Sequence, residues 1–107
     1  MLDLSAYNIR KFNVKFKGEV LNLLPPMLKQ VKVINDHMKV ISLGVTGDEL
    51  KEAATLILNR NDKGKKFNTS TFEDEPFDVA FKLVTSYVAW VNEIYENPNS
   101  KSPLAEQ

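Results

Sequence analysis

A chain of 107 residues has the length of one domain, and its 43% hydrophobic and 26% charged content is that of an ordinary globular core with a solvated surface. Fourteen basic and fourteen acidic side chains cancel, which removes the simplest electrostatic case for a dedicated nucleic-acid binder. The absence of cysteine excludes a disulfide framework and every thiolate metal site. No apolar run reaches the ~18–20 residues of a membrane span. Residues 1–10 lack the basic start and apolar stretch of a signal peptide, so a small intracellular domain is expected.

The opening nine residues show no convincing period. Phe12, Val14 and Phe16 then alternate with Lys11, Asn13, Lys15 and Lys17, the period of a strand with one buried face. Gly18 interrupts, and β-compatible residues resume through Leu24. Residues 11–24 therefore predict a short hairpin turning at Lys17-Gly18 or Gly18-Glu19. Two strands alone are marginal in water, so helices must support them. Pro25-Pro26 ends the second strand, and proline also fits the first turn of a helix. Met27, Val31, Ile34, Met38 and Ile41 recur at spacings of four and three, predicting a helix over 26–42 that stops before Gly44.

Thr46 with Glu49 reads as a capping box, Asp48 being the alternative cap. Leu50, Ala53, Ala54, Ile57 and Leu58 continue as the stripe of a second helix over 47–60. Residues 61–66 form a polar turn, and 67–72 are irregular or briefly extended. Glu73, Asp74 and Glu75 then place three carboxylates at the positive end of a helix dipole, just before Pro76. From there Phe77, Ala80, Phe81, Val84, Tyr87, Val88, Val91, Ile94 and Tyr95 keep one face over a third helix, 75–96. Val79, Leu83 and Trp90 widen that stripe, so the last and longest helix is expected at the centre of the core, with Phe81 among its anchors. The predicted fold is α+β and mostly α: a hairpin and three helices in one domain over 1–96, then a flexible tail over 97–107.

Catalytic constellations are scarce. His37 is the one histidine and follows Asp36, but adjacent helical residues do not face each other. A polar-face or boundary histidine is the simpler reading, and one histidine without cysteine predicts no metal centre. The carboxylates at 73–75 and Asp78 are accounted for by the dipole and need no paired-acid chemistry. Gly44 and Gly47 fit neither a dinucleotide fingerprint nor a P-loop. No enzyme, cofactor site or metal site is expected.

Charge is distributed unevenly along the chain. Seven basic and three acidic residues precede Gly44, whereas seven basic and eleven acidic ones lie from Gly44 onward. Such asymmetry suits self-association or docking to a complementary partner. Lys15 and Lys17 on the outward side of the first strand are candidate partner contacts, although a solvated strand face protected by lysines is the commoner explanation. Tyr87, Trp90 and Tyr95 on the third helix are further candidates, since aromatics are enriched at hot spots, although core packing is the commoner role.

The lysine-bearing hairpin over 12–20, leading through proline into the helix that opens Met27-Leu28-Lys29-Gln30-Val31, resembles the tail assembly chaperones of long-tailed bacteriophages and prophages. The resemblance covers residues 10–96 in layout and has no sharp motif. It implies a non-enzymatic protein of the bacterial host cytoplasm that binds and solubilises the tape measure protein and helps recruit tail tube subunits. It also implies a longer form of many family members, made by frameshifting near the end of the reading frame. Another phage structural component, such as a head–tail connector or minor tail protein, and a small nucleic-acid-binding regulator are the alternatives. A homo-oligomer is allowed, and membrane partners are not expected.

Overall fold

The computed structural model describes Met1, residues 10–44 and residues 47–96. An antiparallel hairpin, β1 (Phe12–Phe16) and β2 (Glu19–Leu23), precedes three helices: α1 (Leu28–Leu43), α2 (Gly47–Leu58) and α3 (Phe77–Glu96). The mostly helical α+β fold is the expected one. Thr46 and the tail predicted over 97–107 lie outside the described residues.

In the hairpin Phe16 pairs with Glu19, so Lys17-Gly18 is the two-residue turn. Both take positive φ, 52° and 81°. That is the backbone of a type I′ turn, whose twist matches the flanking strands. Phe12, Val14 and Phe16 point inward with Leu21 and Leu23, while Asn13, Lys15 and Val20 are exposed. The outer edge of β2 is closed by the chain that follows α2. Leu24 N–H donates to the Arg60 carbonyl at 2.9 Å, and Asp62 N–H donates to the Asn22 carbonyl at 2.9 Å. Buried Asn61 fixes this crossing: its amide donates to the carbonyls of Leu58 (2.7 Å) and Lys65 (2.8 Å), and its Oδ1 accepts the N–H groups of Lys63 and Lys65.

α1 begins two residues after the predicted 26. Met27 at the cap is extended, so the chain turns helical only at Leu28. Gln30 Oε1 accepts the Met27 N–H at 2.8 Å. α2 ends at Leu58 rather than 60, because the Asn59 side chain turns to the Phe67 backbone and Arg60 leaves the helix to accept the Leu24 N–H and to donate to the Pro25 carbonyl from Nε (2.8 Å) and Nη2 (2.6 Å). Within α2, Leu50, Ala53, Ala54, Thr55, Ile57 and Leu58 are all buried, and the helix packs against both α1 and α3. Each large apolar side chain closed off in this way contributes about 1.5–3 kcal/mol.

The segment expected to be irregular contains a short 3-10 helix, Thr69–Phe72, capped by Asn68 Oδ1 accepting the Ser70 N–H at 3.1 Å. It delivers Phe72 into the core against Phe16, ring centroids 5.4 Å apart. α3 starts at Phe77, not 75, with Val79 N–H bonded to the Pro76 carbonyl. Ala80, Val84 and Tyr87 form its buried line. Phe81, expected as an anchor, is only half-buried and stacks on half-exposed Phe77 at 5.3 Å, because it lies one position round the helix from that line. Among the described residues no helix is long and apolar enough to cross a membrane.

Candidate functional site

α1 does not bury the stripe its sequence carries. Ile34 and Ile41 enter the core and Met38 is half-buried. Leu28 is 92% exposed, Val31 37%, and Met27 about half. Val33, Val40 and Leu43 are also exposed, on other sides of the helix. Burying one such side chain contributes more than a kilocalorie, about 1.5–3 kcal/mol, so a helix that leaves several in water keeps capacity for another surface.

Leu28 and Val31 form one wall of an apolar groove of about 370 Å³; Val88 and Val91 of α3 form the other, with Pro26 at one end. Asn35 and Asn92 supply polar groups at the rim. The floor is rigid. Tyr87, wholly buried, donates its hydroxyl to the Leu24 carbonyl at 2.6 Å. Burial raises the phenol above its ordinary value, outweighing the opposing Arg60 guanidinium, so the group stays protonated and keeps donating.

The sequence candidates therefore separate. Tyr87 takes the core role, wholly buried as the floor beneath the groove. Trp90 is half-buried, stacked on Phe12 with centroids 5.3 Å apart and lying 5.7 Å from Tyr87, where it helps seat the hairpin on α3. The Tyr95 side chain lies outside the described residues, although the helix backbone runs through it. Lys17 occupies the hairpin turn and pairs with Glu75 at 3.4 Å. Lys15 stays exposed on β1, away from the groove between α1 and α3. Missed in the sequence were Leu28 and Val31, read as helix start and core stripe; nothing local distinguishes an apolar residue that is covered from one that is not.

Charge asymmetry along the chain is partly resolved inside the fold. Lys11 pairs with Asp62 at 3.0 Å and Lys51 with Glu73 at 2.7 Å, while Glu19 receives Lys65 at 2.6 Å and Lys63 at 3.2 Å. The hydrogen bond from Lys11 holds the Asp62 carboxyl below its ordinary value, and Lys65 followed by Lys63 does the same for Glu19. His37 Nδ1 meets Glu49 Oε1 at 2.6 Å, and Nε2 stands 3.9 Å from Glu52. Glu49 thereby ties α2 to α1; Thr46, its predicted capping partner, lies outside the described residues. One donor atom from each of these three residues falls within 4.8 Å of the others, the described group able to share a cation. Its signal was invisible locally, because the histidine and the carboxylates lie on different helices. The imidazole–carboxylate bond already explains the arrangement.

No protein-family model, curated protein or solved structure matches this chain.

Proposed function

We propose that this protein is a non-enzymatic assembly chaperone whose groove between α1 and α3 receives an amphipathic helix of a client. The observation that carries the reading is the exposed apolar row of Leu28 and Val31 beside Val88 and Val91, on a floor held by the Tyr87 hydrogen bond. Helix-in-groove recognition needs this combination of a preformed apolar trough and adjacent polar groups. On the resemblance of the hairpin, proline and helix layout to phage tail assembly chaperones, the client is the tape measure protein, held soluble in the host cytoplasm while tail tube subunits are recruited.

The test is coexpression with the tape measure protein encoded in the same genome. A soluble complex is expected from the wild-type chain, and precipitated client from a Leu28→Asp/Val31→Asp variant whose circular dichroism is unchanged. A client that stays equally soluble with the variant, or that never associates with the wild type, overturns the reading.

A further inference from the structure

The two edges of the hairpin are treated differently. In a two-residue hairpin the pair flanking the turn exchanges hydrogen bonds, and pairs alternate from there. Phe16 with Glu19, Val14 with Leu21 and Phe12 with Leu23 are thus the bonded pairs. Asn13 and Lys15 on β1, and Val20 and Asn22 on β2, turn their N–H and C=O groups outward. Beside β2, the chain after α2 takes up this capacity through Asp62 N–H and the Asn22 carbonyl. Beside β1, no described backbone group pairs with Asn13 or Lys15.

That open edge borders a second groove, of about 310 Å³, between β1 and α3. Phe12, Val14 and Phe16 line one side, and Val79 and Leu83 the other. Lys15 and Lys82 stand in its lining, both exposed, and neither has a carboxylate partner among the described residues. A strand added to β1 would lie beside α3, with alternate side chains entering the apolar trough, where Lys82 stands on the α3 wall, and the others on the outward face that carries Lys15.

We infer that the edge of β1 left open among the described residues, with the groove beside α3 and the Lys15 and Lys82 ammonium groups, is a docking site for an extended peptide segment of a partner in which apolar residues alternate with carboxylates. Charge selects this occupant. A second copy of the chain offering its own β1 would bring a second unpaired Lys15 to the first, and like charges facing each other across a ladder repel. A strand with carboxylates on its outward side gains backbone hydrogen bonds and the Lys15 ammonium together, and Lys82 adds positive charge at the trough. The surface is separate from the groove between α1 and α3, so the proposal stands or falls independently of the chaperone reading.

The probe is a labelled strand-length peptide alternating valine and glutamate, titrated against the full chain and followed by fluorescence anisotropy. Saturable binding is expected, weakening with added salt. Methylating alternate backbone nitrogens of the peptide should abolish it in the register that faces Asn13 and Lys15. Lys15→Glu/Lys82→Glu should weaken the glutamate peptide by about tenfold or more and make a valine–lysine peptide the preferred ligand. Leu28→Asp/Val31→Asp should leave binding unchanged. Absence of saturable binding, indifference to both N-methylated registers, or equal affinity for the two peptides in the wild type overturns the proposal. So does a dimer formed through β1 that excludes the peptide.

Discussion

α1 and α2 carry apolar stripes of similar spacing and meet opposite fates. α2 lies between two helices and buries residues around most of its circumference, while α1 has a neighbour on one side and leaves Leu28, Val33, Val40 and Leu43 in water. An amphipathic pattern states that a helix has a face to cover; it does not say whether the cover belongs to the same chain. In α2 the pattern describes stability. In α1 it describes unused capacity for association.

The largest effect that can break this contrast is truncation. Leu58→Ala in α2 should cost ~2–5 kcal/mol in urea unfolding, because its side chain is fully enclosed. Leu28→Ala should change stability by less than about 0.5 kcal/mol. Equal losses would show that Leu28 is covered in solution and that α1 is no different from α2.

Tyr87→Phe sharpens the comparison at the boundary between core and groove. It leaves the Leu24 carbonyl without its hydroxyl donor, and about 1–3 kcal/mol should be lost in the same assay. An unchanged midpoint would mean that water replaces the hydroxyl and that the floor is open. Thr55→Val acts in the opposite direction. The Thr55 hydroxyl is buried in α2 with no described hydrogen-bond partner, so its replacement by a methyl group should raise stability by about 1 kcal/mol. A loss instead would reveal an acceptor reaching that hydroxyl.

The smallest effect is electrostatic. Lys11 lowers the Asp62 carboxyl below 3.8, and Lys65 with Lys63 lowers Glu19 below 4.5. The unfolded chain therefore binds protons more readily than the folded one as the medium becomes acidic. Stability from these pairs is full above the ordinary carboxylate values and is lost as pH falls through the lower folded ones. Thermal melts from about pH 5 to about pH 3 should show a decline that Asp62→Asn reduces and salt flattens. An identical profile for the variant would show that the Lys11–Asp62 pair does not steady the hairpin.

The hairpin, the helix order and the α2 stripe were legible in the sequence because each rests on local period. Phe12, Val14 and Phe16 could only be a strand face, and Leu50 through Leu58 could only be a helix stripe. Helix ends slipped where tertiary contacts competed, as at Arg60, which leaves α2 to bind the Pro25 carbonyl. Phe72 was missed because a short 3-10 turn has too few residues to show a period. The sites were the least legible part. Lys17 and Lys15 look alike in sequence, yet one sits in the turn facing Glu75 and the other beside an open edge. That difference comes from which distant element packs alongside.

Trp90 has a practical consequence. It is the one tryptophan of the chain, and it stacks on Phe12 of the hairpin at 5.3 Å with Tyr87 at 5.7 Å. Its emission is therefore a built-in optical gauge of how the hairpin sits on α3. A ligand on the open edge of β1 should shift that emission, because Phe12, on which the indole stacks, lines the groove there.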